Sequence, residues 1–225
     1  MKINRPLHEL SRPSALADVV GQSKAVALAS AYVARGMVGG KAFWITGPSG
    51  SGKTTIARIL ADSIADSFST IEIDAAELTA DYVRELPSAM SYFGIGRGGR
   101  AWIINEAHGL RADTVRRLLV LLESLPAHVT MIFTTTNDGH EKLFDDVDDA
   151  GPLLSRCVPI ALTSQGLCDA FSARAVTIAA GVGVTLEVGD AAKICKRCKN
   201  NMRAVIGEIE GMAMLAGGGV AAAAG

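Results

Sequence analysis

A short glycine-rich segment limits what this chain can fold into more than any other feature. Residues 47–54 read Gly-Pro-Ser-Gly-Ser-Gly-Lys-Thr, between an apolar run at 42–45 and a segment with helical periodicity. Strand, glycine-rich turn and helix in this order are typical of a phosphate-binding P-loop, where backbone N–H groups and the positive end of the helix hold phosphates. The pattern therefore predicts ATP or GTP binding, against the alternative of an ordinary glycine-rich turn.

The residues of this P-loop have distinct expected roles. Lys53 would reach the β- and γ-phosphates, and Thr54 would hold Mg²⁺. The other nucleotide-binding candidates surround these two side chains: Gly47, Pro48, Ser49, Gly50, Ser51, Gly52 and Thr55.

Short apolar segments alternate with helical patterns over most of the chain, at residues 42–46, 70–74, 101–105, 129–135 and 157–161. This alternation predicts a parallel sheet covered on both faces, and we expect a five-stranded α/β domain over residues 1–162. Beyond it, a helical domain over 163–216 is expected from three periodic segments, at 164–180, 188–198 and 201–215. Residues 217–225 are low-complexity and are expected to fray.

Composition limits the class of protein. With 49 % hydrophobic and 20 % charged residues and a formal net charge of -1, the chain is typical of soluble globular proteins and has no overall attraction to nucleic acid or membranes. No apolar run reaches the ~20 residues of a membrane span, and the N-terminus lacks a signal-peptide core, so we expect a cytoplasmic protein.

The four cysteines fit no disulfide framework. Cys195 and Cys198 form a lone C-x-x-C pair, whereas a structural zinc site needs four ligands.

The apolar segment at 101–105 ends in polar residues, and Glu106 follows it directly. In a P-loop sheet this is the place for a carboxylate that orients water for in-line attack on the γ-phosphate. The alternative is a solvated acid at a strand end.

With this strand, the sequence resembles the AAA+ ATPases over residues 12–214, and among them the clamp-loader group and its relative, the Holliday-junction branch-migration motor. The segment at 12–22, Arg-Pro-Ser-Ala-Leu-Ala-Asp-Val-Val-Gly-Gln, is similar to the family's N-terminal signature. The resemblance implies an adenine pocket that includes Val19 and Val20, and hence ATP rather than GTP.

The same resemblance implies roles at two strand ends. Asn105 and Glu106 stand at the family's Walker B positions, which implies that Asn105 shares the Mg²⁺ with Thr54. Residues 128–137 are similar to the strand that ends in sensor 1, a polar residue near the γ-phosphate. Sensor 1 is either Thr136 or Asn137.

Two arginines complete the implied site. Ser155-Arg156-Cys157 is similar to the clamp-loader motif whose arginine reaches the γ-phosphate bound by a neighbouring subunit; the alternative for Arg156 is a surface ion pair. Asn201-Met202-Arg203-Ala204 is similar to sensor 2, which implies that Arg203 lies over the nucleotide; the alternative is an exposed helix arginine.

The chain departs from the family pattern in three ways. Asn105 replaces an aspartate, and an amide holds Mg²⁺ less strongly than a carboxylate, so hydrolysis is expected to be slow and an aspartate there to speed it. The sequence ends soon after the expected helical domain, where clamp-loader subunits continue into a collar and the branch-migration motor into a winged helix. Residues 61–100 contain no cysteine, whereas bacterial loader subunits carry a cysteine zinc module in this region.

Local basic residues allow a contact with DNA. Arg97 and Arg100 lie in a glycine-rich loop expected to be flexible, and three further arginines follow the Walker B strand at Arg111, Arg116 and Arg117. They could track phosphates in a salt-dependent way, or form a solvated helix face. The acidic run at 145–149 is expected to be a solvated loop.

The resemblance therefore implies an Mg²⁺-dependent ATPase with a helical lid, acting as a subunit of a sliding-clamp loader in DNA replication. The implied partners are other AAA+ subunits in a homo- or hetero-oligomer such as a pentamer, a sliding clamp and primer-template DNA. Two alternatives stay open: a motor like the branch-migration enzyme, and a weakly hydrolysing, ATP-dependent assembly switch.

Overall fold

The computed structural model describes residues 5–137, residue 140 and residues 150–215. Its internal contacts divide the chain into two units. The sheet unit comprises the described residues of Lys24–Gly47 and Lys53–Leu162. The helical unit comprises those of Met1–Ser23, Pro48–Gly52 and Thr163–Gly225.

The sheet unit is built on five parallel strands in the order β2-β3-β4-β1-β5. Their bounds are β1 Lys41–Thr46, β2 Thr70–Asp74, β3 Arg100–Asn105, β4 Val129–Thr135 and β5 Cys157–Ala161. The predicted five-stranded parallel sheet is thus confirmed, with β1 and β3 each beginning one residue earlier than expected. The central strands β1, β3 and β4 are mostly apolar because helices cover both faces of the sheet, and all seven residues of β4 are buried.

Helix α2 Ser23–Ala34 precedes β1, and further helices connect the strands in turn: α3 Lys53–Asp62, α4 Ala80–Met90, α5 Ala112–Glu123 and α6 Ala150–Ser155. Short 3₁₀ turns lie at Ser67–Ser69 and Ala107–Gly109. Among the largest fully buried side chains of this unit are Trp44, Trp102 and Phe133, and Trp44 packs on Phe133 with ring centroids 5.4 Å apart. These rings fix the middle of the sheet, from which the strand ends project.

The helical unit contains α1 Leu7–Leu10, a 3₁₀ turn at Leu16–Asp18, α7 Cys168–Gly181, α8 Val188–Arg197 and α9 Met202–Leu215. Its core joins the three long helices through Phe171, Ile194 and Ile209, and α1 adds Leu7. The Leu7 N–H donates to Glu210 Oε1 at 3.0 Å, which ties α1 to α9.

Helix α7 begins four residues later than predicted. It starts at Cys168 rather than at 164, because Gly166 takes a left-handed φ of 70° in a turn before it. In the sheet unit, α5 starts at Ala112 because the residues after Glu106 form a 3₁₀ turn first.

Candidate functional site

The P-loop has the backbone shape that its glycines allow. Gly47, Gly50 and Gly52 have φ values of 154°, 70° and 106°, which residues with a Cβ atom rarely adopt. Helix α3 begins immediately afterwards at Lys53, and the Lys53 ammonium donates to the Gly47 carbonyl at 2.9 Å. The Lys53 side chain is only 8 % exposed, so its charge is held against the turn rather than in bulk water.

The middle of the P-loop is fastened within the helical unit by Gln22, which is 3 % exposed. Gln22 Nε2 donates to the carbonyls of Ser51 at 3.3 Å and Thr163 at 2.9 Å, and Gln22 Oε1 accepts from the Thr163 N–H at 3.2 Å. Every polar group of this buried amide is used, so Gln22 fixes the loop in one position. Sequence reasoning missed this role, although Gln22 is the last residue of the N-terminal signature.

The start of α9 also contacts the loop. The Met202 N–H donates to the Gly50 carbonyl at 3.2 Å, and a Cβ at Gly50 would lie 1.8 Å from Asn201 Oδ1. Arg203 follows on the same helix and is exposed, while Val19 and Val20 are half-buried. Asn201 was also missed as a site residue; its signal was its place at the head of the sensor 2 motif.

In the sheet unit, three neighbouring strands end at one edge of the sheet. β3, β4 and β1 are adjacent and parallel, so Glu106, Thr136 and Gly47, which follow them, share the carboxyl edge where α/β proteins bind ligands. The sheet thus brings together the predicted P-loop entry, Walker B and sensor 1 residues. Thr136 is half-buried and Asn137 is exposed, and the Thr136 carbonyl accepts from the His140 N–H at 2.8 Å.

The amide of Asn105 is held from both sides. Asn105 Nδ2 donates to Glu72 Oε1 on β2 at 2.7 Å, and Asn105 Oδ1 accepts from the Thr134 hydroxyl on β4 at 2.9 Å. Glu72 in turn accepts at Oε2 from Arg58 Nε on α3 at 2.8 Å. Glu72, Arg58 and Thr134 were not predicted as site residues, because their grouping depends on strand register.

Glu106 has a strained backbone. Its φ and ψ of 53° and 48° are left-handed, which costs a residue with a Cβ on the order of 1 kcal/mol or more. Its side chain is 48 % exposed, and its Oε2 lies 3.5 Å from His108 Nδ1. His108 Nδ1 is also 3.2 Å from the Thr135 hydroxyl. The kink turns the carboxylate out to where water can reach it, and His108 is a further neighbour that the prediction left without a role.

Arg156 lies at the amino end of β5, on the side of the sheet opposite to the carboxyl ends of the strands. It immediately precedes β5, so the five residues of this strand, about 16 Å, separate it from the carboxyl edge. Its guanidinium donates to Glu123 Oε1 at 2.5 Å and to the Pro152 carbonyl at 3.0 Å. The structure therefore does not bring Arg156 together with Lys53 and Glu106 of the same chain, and in the isolated chain Arg156 forms a surface ion pair.

The basic loop before β3, which was predicted to be flexible, makes hydrogen bonds to the residues after α3. The Gly99 N–H donates to the Ile64 carbonyl at 3.1 Å, and the Arg97 N–H donates to Asp66 Oδ2 at 2.8 Å. Arg100 is the first residue of β3, and its guanidinium carbon lies 5.2 Å from the ring centroid of Trp102. Three further arginines are exposed: Arg111 directly precedes α5, and Arg116 and Arg117 lie on this helix.

The remaining predictions concern metals, membranes, the acidic run and the C-terminal tail. Cys195 is buried and Cys198 half-buried, and burial raises the pKa of both thiols. Within residues 5–137, 140 and 150–215, no cluster of three or more metal-ligating side chains occurs. No helix in the described part of the chain is long and apolar enough to cross a membrane. The acidic run at 145–149 and the tail at 217–225 lie outside the described residues.

Comparison with known proteins places these features in a family. A family model described as "ATPase family associated with various cellular activities (AAA)" matches residues 43–162. DNA polymerase III subunit gamma/tau of Mycobacterium tuberculosis is 31 % identical over 155 residues, which cover 58 % of this chain and 27 % of the relative. DNA polymerase III subunit gamma of Buchnera aphidicola is 27 % identical over 232 residues, which cover 93 % of this chain and 60 % of the relative. The chain thus spans less than two thirds of the length of these curated relatives.

Solved structures show the same fold. A single-residue variant of RuvB from Thermotoga maritima superposes with a TM-score of 0.72 at 21 % sequence identity. The superposition covers 93 % of this chain and 68 % of RuvB. At this identity the likeness concerns the fold alone.

Proposed function

Since the chain belongs to the AAA family of ATPases, we propose that it is an ATP-hydrolysing subunit of a sliding-clamp loader that acts in DNA replication. The relatives named DNA polymerase III subunit gamma and gamma/tau support this assignment. In this proposal residues 1–162 form the nucleotide-binding domain, and residues 163–216 form a helical lid. The observation that carries the proposal is the shared carboxyl edge of β3, β4 and β1, with the P-loop entry at Gly47 and the exposed carboxylate of Glu106 on it.

The residues at this edge fit ATP with Mg²⁺. The hydroxyl of Thr54 and the amide oxygen of Asn105 are hard oxygen donors, and Asn105 Oδ1 keeps a second lone pair beside the bond from Thr134. When bound, Mg²⁺ would neutralise charge on the β- and γ-phosphates. Lys53 would bind the same phosphates, Glu106 would orient the attacking water, and Thr136 or Asn137 would contact the γ-phosphate. Val19 and Val20 would line the adenine pocket, and Arg203 would contact the nucleotide from the lid.

The proposed ATPase works as an oligomer. Arg156 lies at the sheet edge opposite the P-loop strand end, so it can serve a nucleotide only on another subunit. Its pair with Glu123 is exposed, and such pairs are worth ~1 kcal/mol or less, so a neighbour's phosphates would compete for it readily. The proposed partners are other AAA+ subunits, a sliding clamp and primer-template DNA in the cytoplasm, with the arginines of α5 as candidate DNA contacts.

One observation favours a second candidate, the weakly hydrolysing assembly switch. Asn105 is uncharged, and both ends of its amide are already hydrogen-bonded. A site that binds ATP well but positions Mg²⁺ loosely would hydrolyse slowly and report nucleotide state through assembly.

ATP turnover separates these functions. We expect the purified chain, mixed with its partner subunits, to hydrolyse ATP faster when a sliding clamp and primed DNA are both present. Acceleration by a four-way DNA junction alone would indicate a motor instead, and ATP binding without turnover under any condition would indicate the switch.

Lys53→Ala tests nucleotide binding itself, with Lys41→Ala as a matched control because Lys41 is an exposed lysine at the start of β1. Loss of the Lys53 contacts should weaken ATP binding by about tenfold to a hundredfold, as expected for hydrogen bonds from a charged group. Equal ATP affinity in the two variants would overturn the proposed site.

A further inference from the structure

Four polar side chains form one continuous hydrogen-bonded row across the sheet unit. From α3 through β2 and β3 to β4, the row runs Arg58, Glu72, Asn105, Thr134, with donor–acceptor distances of 2.8, 2.7 and 2.9 Å. Asn105 is the residue of this row at the metal side of the proposed nucleotide site. What holds Asn105 therefore bears on how that site works.

The charge of Glu72 fixes which way the Asn105 amide points. An ionised carboxylate only accepts hydrogen bonds, so the end of the amide that faces Glu72 must be the NH₂ group. Arg58 donates to the other carboxylate oxygen and holds Glu72 in place. The Asn105 oxygen must then face Thr134, whose side chain is 1 % exposed and donates its hydroxyl there.

We propose that Glu72 is a positioning residue for Asn105. In this pair the negative charge belongs to Glu72 on β2, whereas the family pattern has it on the residue of β3 at position 105. Glu72 turns the amide oxygen away from β2 and keeps a negative charge one strand away from its usual place in the family. The proposal rests on the proposed function only in assigning Asn105 to the metal side.

This arrangement changes the expected effect of an aspartate at position 105. An aspartate there would set its carboxylate about 2.7 Å from Glu72 Oε1, the length of the hydrogen bond it replaces. Two carboxylates that close cannot both stay ionised without large repulsion, so they would share a proton or move apart. The substitution that the family pattern recommends should therefore harm this protein while Glu72 is present.

An exchange of the two groups gives a sharp test. In Asn105→Asp combined with Glu72→Gln, the introduced glutamine can donate its NH₂ to the new carboxylate and accept from Arg58 with its oxygen, so the whole row is restored with the charge on β3. In Glu72→Gln alone, a glutamine that accepts from Arg58 with its oxygen presents its NH₂ to the Asn105 NH₂; the clash is relieved only if the Asn105 amide turns over, which moves its oxygen from the Thr134 side to the β2 side. Each single change should therefore harm the protein, and the double change should recover it.

Thermal unfolding tests the row without any nucleotide. At pH 8, Asn105→Asp should melt at a lower temperature than wild type, because a carboxylate would replace the donor beside Glu72 and the two negative charges would repel each other. The double variant should melt at a temperature close to that of wild type. Glu77→Gln, an exposed glutamate just beyond β2, controls for the loss of one charge.

Binding of a fluorescent ATP analogue at varied Mg²⁺ tests the positioning role. The Mg²⁺ concentration for half-maximal binding should rise about tenfold in each single variant, as expected for one lost hydrogen bond to a charged group, and return toward wild type in the double variant. A wild-type protein that does not bind the analogue would overturn the proposed function and leave the melting test intact. Single variants that melt and bind like wild type, or a double variant no better than the singles, would overturn the role of Glu72.

Discussion

Replacing Gly50 by alanine tests the contact between the P-loop and the start of α9. Gly50 has a φ of 70°, and its Cβ would lie 1.8 Å from Asn201 Oδ1 and 3.1 Å from Asn201 Cα. The backbone conformation alone costs an alanine ~1 kcal/mol. The overlap should add ~2 kcal/mol or more, because the Asn201 side chain can turn away but its backbone cannot.

Gly36→Ala is a matched control. Gly36 has a φ of 64°, but a Cβ there would have no atom within 4 Å, so the control carries the conformational cost without the overlap. A change of 1 kcal/mol shifts the melting temperature of a chain this long by ~2–4 °C. We therefore expect a fall of about 3 °C for Gly36→Ala and of at least about 6 °C for Gly50→Ala, measured by circular dichroism.

A second substitution identifies the atoms responsible. Asn201→Ala in the Gly50→Ala background removes the oxygen and the amide carbon that the new methyl would meet, but leaves the Cα. It should recover part of the extra loss, after subtraction of the cost of Asn201→Ala alone, whose oxygen accepts from the Ala204 N–H at 3.2 Å. Equal melting shifts for Gly50→Ala and Gly36→Ala would refute the close approach of Asn201 to the P-loop.

Two further predictions concern assembly and pH. Arg156→Ala and Glu106→Gln should each lower ATP turnover by on the order of 10²-fold or more. A mixture of the two proteins should regain activity, since one chain offers an intact Glu106 and the other an intact Arg156; a mixture no more active than its components would contradict a site that two chains share. Burial raises the pKa of the Cys157 thiol to about 12 from 9.0. The folded protein keeps this proton up to a higher pH than the unfolded chain does. Wild type should therefore lose ~1.4 kcal/mol of unfolding free energy relative to Cys157→Ala for each pH unit between 9 and the raised pKa, as measured by urea unfolding. Parallel pH profiles of the two proteins would contradict the raised pKa.

The sheet and the P-loop could be predicted because each depends on residues close in sequence. Apolar runs long enough for one strand, separated by helical patterns, leave little freedom in fold class, and β2, β4 and β5 have their predicted bounds. The glycines of the P-loop carry their backbone preferences with them wherever they occur.

The grouping around Asn105 could not be predicted, because it is a property of strand register. Glu72 reaches Asn105 from two residues before Asp74, which is the register partner of Asn105. Similarly, Glu123 is 33 residues from Arg156 in sequence, and only the packing of α5 beside α6 shows that they form an ion pair. Composition and motif spacing contain no record of such pairs.

The opposite placement of Arg156 and the P-loop strand end gives the sheet unit a direction. If each protomer lends its arginine to the next, every contact joins unlike surfaces, and one end of any open row has an unused arginine while the other has an incomplete site. An open arc of subunits then holds one fewer complete site than it has members, whereas a closed ring completes them all. The number of active sites per assembly would therefore reveal whether the assembly closes.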